Sequence, residues 1–272
     1  MPHSAIGFIG LGDIGKPMAA NLLNRGFKIF SSANRSRQAF EELIPQGLVE
    51  KTSPREVAEA SDILITMVVD EAQTETVLRG EAGALAGHKP GSTIIVMSTL
   101  KPGYCQDLAN ELAERDIAVI DCPVSGMAVR AADGTLTLMA GGRTEDIERC
   151  RQVLEAMGTI HYCGDVGMGM VAKLANNGLS MGTAGLLVEM RRMAKSYGMD
   201  IPTLMEILGS GTAASFVVQN FEMFRPNWRH FARIAGKDMR ICQATGAANG
   251  GKTPMIDAWL SVAWAEMGPE DV

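Results

Sequence analysis

The sequence predicts an α/β protein: a doubly wound sheet followed by an all-helical second half. Three observations lead there. Short apolar runs alternate with helix-compatible stretches through the first half. Some runs, ILITMVV and TIIVM among them, are apolar on both faces, as central strands of a parallel sheet covered on two sides must be. Past Gly164 the strand-like runs stop and helical spacing takes over.

The strand-like runs are Ala5–Ile9, Lys28–Phe30, Ile63–Val69, Thr93–Met97, Ile117–Ile120 and Leu136–Met139. Pro17–Arg25, Pro54–Ala60, Tyr104–Arg115 and Thr144–Met157 read as helices between them. This βα alternation is what a doubly wound sheet requires. Leu174, Leu179, Met181, Leu186, Leu187, Met190 and Met193 then recur at helical spacing, so 168–197 reads as one long helix. Gly198 stands where a left-handed residue would end it. Further helices are expected over 202–208, 215–223, 231–248 and 254–266, with Pro202 and Pro254 in first turns. Two domains follow, 1–163 and 164–272.

The bulk composition excludes several classes. The chain has 272 residues, is 46% hydrophobic and carries a net charge of −6. A basic face for nucleic acid is not indicated. The five cysteines are odd in number and form no CxxC pair, so neither a disulfide framework nor a zinc site is expected. They fit a reducing, cytoplasmic compartment. No signal pattern opens the chain, and no apolar stretch reaches the ~18 residues of a membrane span.

The turn after the first strand is Gly10-Leu11-Gly12-Asp13-Ile14-Gly15. The first glycine makes the turn, the second lets a pyrophosphate approach, and the third lets helix and strand pack closely. The helix N-terminus then favours the anion. The spacing between a strand and a helix predicts a dinucleotide site. About 20 residues on, an acid would normally hold the adenosine ribose of NAD. The chain has SSANRSR there, with Asn34, Arg35, Ser36 and Arg37 but no acid. That chemistry favours the 2′-phosphate of NADP, with NAD as the alternative.

The four histidines lie in no suggestive context. Lys173 and Asn177, in GMGMVAKLANNGL, are four apart and share one face of the long helix. Apolar neighbours would lower a lysine pKa and suit it to acid–base work. On composition alone, the pair could equally be a polar stripe.

Four blocks resemble the β-hydroxyacid dehydrogenase family, which includes 3-hydroxyisobutyrate dehydrogenase and tartronate semialdehyde reductase. They are GFIGLGDIGKPMAANL, DCPVSGMAVRAADGTLTLMAGG, GDVGMGMVAKLANN and the Lys237-Asp238 pair in ARIAGKDM. The resemblance implies a Rossmann-type domain followed by an all-helical one. It makes Lys173 the general acid in reduction and base in oxidation, with Asn177 orienting the substrate. Ser125 and Gly126 would hold the substrate carboxylate. Val68, Val69, Gln73, Ser98 and Thr99 would line the cofactor, and Lys237, positioned by Asp238, would reach the nicotinamide ribose. Four departures stand out. Met127 replaces a common second glycine, Val96 a common acid, the second strand runs one residue longer, and the chain ends a little early.

The expected activity is an NADP-preferring oxidoreductase acting on a small 3-hydroxyacid or aldehyde-acid, of semialdehyde or glyoxylate type. An imine reductase on the same fold is one alternative, although such enzymes typically carry Asp or Tyr in place of Lys173. A non-catalytic NADP-binding sensor or scaffold is the other. The apolar long helix and 18 methionines point to a homodimer or a tetramer of dimers, and otherwise to an irregular core filled by methionine.

Overall fold

The computed structural model describes residues 5–34 and 36–272. The chain divides into two compact units, the first ending at Lys173 and the second running from Leu174 to Val272.

The first unit begins β1 (Ile6–Ile9), α1 (Gly15–Asn24), β2 (Ile29–Ser32), α2 (Gln38–Leu43), β3 (Val49–Lys51), α3 (Pro54–Glu59), β4 (Ile63–Thr66) and α4 (Glu71–Arg79). It continues with β5 (Thr93–Val96), α5 (Pro102–Ala113), β6 (Ala118–Asp121), β7 (Val124–Ser125), α6 (Met127–Ala132), β8 (Leu136–Gly141), α7 (Thr144–Glu155) and β9 (Gly158–Gly164). The sheet order is β3-β2-β1-β4-β5-β6-β8-β7, with β9 pairing β8. Strands β3 to β6 run parallel. β8 is antiparallel to β6 and β7, and parallel to β9.

Side-chain alternation fills both faces of this sheet. Ile6, Phe8, Ile63 and Ile65 enter one core, whereas Ile9, Leu64, Ile94 and Val96 enter the other. This is the doubly covered sheet that the two-faced apolar runs imply. Its order reverses between β1 and β4, so a crevice opens beyond their carboxyl ends. The run Ile63–Val69 stays strand only to Thr66, and Met67–Val69 turns over the end of the sheet.

Several elements escape the pattern. β3 and β9 are partly exposed strands with no continuous apolar run. α2, α6 and β7 span only six, six and two residues. α4 is mostly polar but is capped by Asp70, whose side chain accepts from Gln73 N.

α8 (Met168–Ser196) runs from the first unit into the second. α9 (Ile201–Ser210), α10 (Phe216–Gln219), α11 (Phe221–Phe224), α12 (Trp228–Ala248) and α13 (Pro254–Leu260) follow. Gly198 follows α8 with φ 77°, the left-handed turn its position predicts. The single helix expected over 215–223 breaks at Asn220, whose φ and ψ of −120° and 22° are not helical. The helix expected over 254–266 stops at Leu260, and a short 3₁₀ turn carries Trp264. Indole chemistry accounts for that turn. Trp228 Nε1 donates to Trp264 O at 3.0 Å, Trp264 Nε1 to Trp259 O at 2.8 Å, and Trp259 Nε1 to Met181 O at 2.9 Å. A buried indole N–H needs such a partner.

Candidate active site

The dinucleotide turn meets the demands of its spacing. Gly10 has φ 108°, and a Cβ there would stand 2.1 Å from Met67 O. A Cβ on Gly15 would stand 1.9 Å from Gly10 O. Only glycine fits either place. Around Gly12, by contrast, nothing lies within 4 Å of a Cβ position. The first and third glycines close the backbone, and the second faces open space, which is the cradle a pyrophosphate needs. No side chain caps α1, and no acid stands in its first turn, so its N-terminus suits an anion. Leu11 and Ile14 pack on the core while Asp13 is exposed.

The ends of β4 and β5 meet beside this turn. Val68 N donates to Ser98 Oγ at 2.9 Å. Val69 N donates to Gln73 Oε1 at 3.4 Å, and Ser98 is buried with half-buried Thr99 next to it. Val68 Cγ1 lies 3.2 Å from the Cβ position of Gly10. Gly10, Val68, Val69, Gln73 and Ser98 therefore gather at one end of the sheet. Beyond β2, Asn34 and Ser36 are exposed, and Arg35 lies outside the described residues. Arg37 faces Glu50 in a two-pronged pair, Nη1–Oε1 2.8 Å and Nη2–Oε2 2.9 Å. That pair occupies a cation that the sequence alone offers to a phosphate.

Lys173 Nζ donates to Val124 O at 2.7 Å. An ammonium is thereby fixed beside β7, one residue before Ser125. Gly126 and Met127 follow with φ of 137° and 61°. The left-handed conformation costs a methionine roughly 1–2 kcal/mol. One turn along α8, buried Asn177 donates from Nδ2 to Asp238 Oδ2 at 2.6 Å. Asn177 Oδ1 accepts from Asn176 Nδ2 at 3.0 Å. Asp238 also meets Lys237 Nζ at 2.9 Å from its other oxygen. The amide of Asn177 is thus held in one orientation, with a second N–H left on Nδ2.

Sequence reasoning missed Asp121. Its carboxylate is fully buried at the end of β6 and accepts from Gly167 N at 2.6 Å and Met170 N at 2.7 Å. It thereby caps the first turn of the helix that carries Lys173. A Cβ on Gly141 would come within 2.5 Å of Asp121 Oδ1, and one on Gly169 within 2.2 Å of Met139 O, so glycines permit the approach. Burial pushes the carboxyl up to about 6, against the pull of the backbone donors. The sole sequence signal was an acid ending an apolar strand. Asp238, read from sequence as a partner of Lys237, proves also to hold Asn177 across 61 positions.

Residues 5–167 match the family model described as the NAD binding domain of 6-phosphogluconate dehydrogenase. Residues 167–268 match the one described as the NAD-binding region of NADP-dependent 3-hydroxyisobutyrate dehydrogenase. The chain belongs to the 3-hydroxyisobutyrate dehydrogenase-like family. This dehydrogenase is 31% identical to the NAD-dependent L-serine dehydrogenase of Pseudomonas aeruginosa, over 94% of this chain and 90% of that one. The structure of a 3-hydroxyisobutyrate dehydrogenase from Salmonella typhimurium matches with a TM-score of 0.86 and 25% identity, covering 98% of each chain. An imine reductase from a Pseudomonas species matches at a TM-score of 0.68 and 18% identity over 95% and 92%, a likeness of fold alone. The protein is an NAD(P)-dependent dehydrogenase acting on CH–OH groups. Among the described residues, no helix is long and apolar enough to cross a membrane.

Proposed function

We propose that this dehydrogenase interconverts a small 3-hydroxyacid and its aldehyde-acid, with NADP as the preferred cofactor and Lys173 moving the proton. The observation that carries this reading is the 2.7 Å bond from Lys173 Nζ to Val124 O. It holds an ammonium beside the turn that would bind the substrate's acid group. When bound, the nicotinamide supplies hydride donation or acceptance at its C4. In reduction, Lys173 gives a proton to the substrate oxygen as the carbonyl becomes an alcohol. In oxidation it removes the hydroxyl proton as the C–H bond breaks. Ser125, by its hydroxyl, and Gly126, by its backbone N–H, hold the carboxylate, with Met127 shaping that pocket. Asn177, fixed by Asp238, donates its remaining N–H to the substrate.

Gly10 to Gly15, Val68, Val69, Gln73, Ser98, Thr99 and Lys237 are assigned to the cofactor. Asn34, Arg35 and Ser36 are assigned to its adenosine end. The lack of an acid after β2 supports NADP over NAD. The five free cysteines fit a cytoplasmic enzyme. A homodimer, or a tetramer of dimers, is supported by exposed Leu179, Leu186, Met190 and Met193, which form one stripe along α8, and by exposed Tyr197 just past its end.

The test is oxidation of NADPH and of NADH with a panel of short aldehyde-acids, ketones and cyclic imines. The expected result is turnover of aldehyde-acids with NADPH favoured, and loss of most turnover with retained NADPH binding in Lys173→Ala. Turnover of imines alone, or a Lys173→Ala variant with near wild-type kcat, would overturn the reading.

A further inference from the structure

The start of α8 is anchored by a residue far away in sequence. Gly167 precedes the helix, where a capping side chain usually stands, and it has no side chain. Asp121 supplies the cap instead, from the end of β6. One carboxylate oxygen accepts from Gly167 N at 2.6 Å and the other from Met170 N at 2.7 Å. Three glycines clear the approach. A Cβ on Gly141, the register partner of Asp121, would stand 2.5 Å from Asp121 Oδ1 and 2.8 Å from Gly169 N. A Cβ on Gly169 would stand 2.9 Å from Asp121 Oδ2, and Gly167 itself has φ 96°. A fully buried carboxylate is a costly way to hold a helix end, so a role beyond holding it is worth seeking.

The anchor has a second rung. Lys173 Nζ donates to Val124 O at 2.7 Å. Asp121 to Val124 is a step of three residues, and so is Met170 to Lys173. On a helix, residues three apart share a face and stand about 4.5 Å apart along the axis. The segment after β6 therefore meets one face of α8 twice, first through the carboxylate and then through the ammonium. A lysine carries its charge on a flexible four-carbon stem, which does not place the ammonium by itself. The rotation and rise of the helix decide where that stem begins, and the carboxylate fixes both.

We propose that Asp121 is a positioning residue for the reaction: by locking the first turn of α8 to the end of β6, it sets where the Lys173 ammonium stands. This rests on the proton-moving role proposed for Lys173 above. Both oxygens are needed, because each takes one backbone N–H. Asparagine keeps the size but offers one acceptor, and it turns its own N–H₂ toward a backbone N–H. The first turn of α8 then loses an anchor. A displacement of about 1 Å at a reacting group costs on the order of 100-fold in rate.

The test is a double-mutant cycle of Asp121→Asn and Lys173→Ala, with NADPH and the aldehyde-acid that wild type reduces best. Asp121→Asn lowers kcat about 10- to 100-fold, with KM and NADPH affinity nearly unaltered. In the Lys173→Ala background it lowers the residual rate less than about twofold, because no ammonium is left to position. Equal falls in both backgrounds would show a general structural role and overturn the proposal, as would an unaltered kcat in Asp121→Asn. Asp121→Ser, smaller and also uncharged, gives the same pattern and serves where Asp121→Asn does not fold. The ammonium itself gives a readout that needs no turnover. Reductive methylation with ¹³C-formaldehyde labels the lysines for NMR, and Lys173→Ala identifies the Lys173 signal by its absence. Asp121→Asn moves that signal to the position of exposed lysines. A Lys173→Ala variant with near wild-type kcat, beside a signal that Asp121→Asn displaces, would sink the reaction role of Lys173 but keep the anchor. A Lys173→Ala variant without turnover, beside an Asp121→Asn variant whose kcat and signal match wild type, would do the reverse.

Discussion

Asp121→Asn separates the cost of a buried charge from what that charge does. In the folded chain the carboxyl titrates at about 6, against 3.8 for an ordinary aspartate. Between those two values the folded state holds a proton that the unfolded state has released. Stability from this group therefore falls as pH rises from 3.8 to about 6, and is constant above. A gap of that size corresponds to about 3 kcal/mol. Three thiols face the carboxylate: Cys105 from α5, Cys122 beside it, and Cys163 from β9. All are raised, so none titrates in this window. Among the described residues the carboxylate has no cation, only the backbone donors of the first turn of α8. Asparagine resembles the protonated acid and does not titrate. The difference in stability between variant and wild type should therefore widen by about 3 kcal/mol in the variant's favour as pH rises from 4 to 7. All three tryptophans, Trp228, Trp259 and Trp264, lie in the second unit, so fluorescence would follow the wrong part of the chain. Hydrogen exchange of β4, β5 and β6 at several pH values reads the first unit. A difference that stays flat, or that widens in favour of wild type, would refute the reasoning.

The remaining predictions concern the cofactor turn and the apolar stripe. Gly12→Ala should leave the melting temperature nearly unaltered, because nothing lies within 4 Å of its Cβ position, yet weaken NADPH binding at least tenfold by filling the cradle. Gly15→Ala drives a Cβ to 1.9 Å from Gly10 O and should destabilise the first unit by several kcal/mol, on the order of an overpacked core. Calorimetry beside cofactor titration separates the two, and equal melting losses would refute the open-space reading. Leu186 and Met193 are 51% and 53% exposed on one stripe of α8. Leu186→Glu with Met193→Glu should shift the protein to monomer by light scattering, and a wild type already monomeric at micromolar concentration would remove the dimer.

What could be read from the sequence follows the reach of each contact. The turn from Gly10 to Gly15 is local. Its tight turn, open middle and close packing each leave a glycine at a fixed offset, and the flanking strand and helix show their own periods. The two-faced runs of β4 and β5 are legible for the same reason. β9 was not, because an edge strand of mixed polarity carries no periodic signal. Asp121 capping Gly167 and Met170, and Asp238 holding Asn177, span 46 to 61 positions. No local spacing encodes those pairings. The helical spacing of Lys173 and Asn177 fitted a polar stripe equally well, the resemblance of GDVGMGMVAKLANN to its family singled Lys173 out, and the bond to Val124 left no local signal.

Three departures from local rules lie close together in this chain. Among the described residues, Asp121 is a buried carboxylate without a cation, Met127 is a non-glycine residue at φ 61°, and Arg130 is a half-buried arginine without an acid. All three fall between β6 and the end of α6, on the segment whose Val124 carbonyl receives Lys173. The glycine turn, which like Asp121 lies at the carboxyl ends of the parallel strands, obeys every rule it was read by. Each exception costs on the order of 1–3 kcal/mol and survives only where surrounding structure enforces it. A core would discard such costs, since apolar or paired residues would pack there more stably. Three of them in ten residues are what the proposed substrate site beside Lys173 would concentrate. The cofactor end of this dehydrogenase is built from satisfied local geometry. The segment beside Lys173 instead keeps a buried charge and a strained backbone in place.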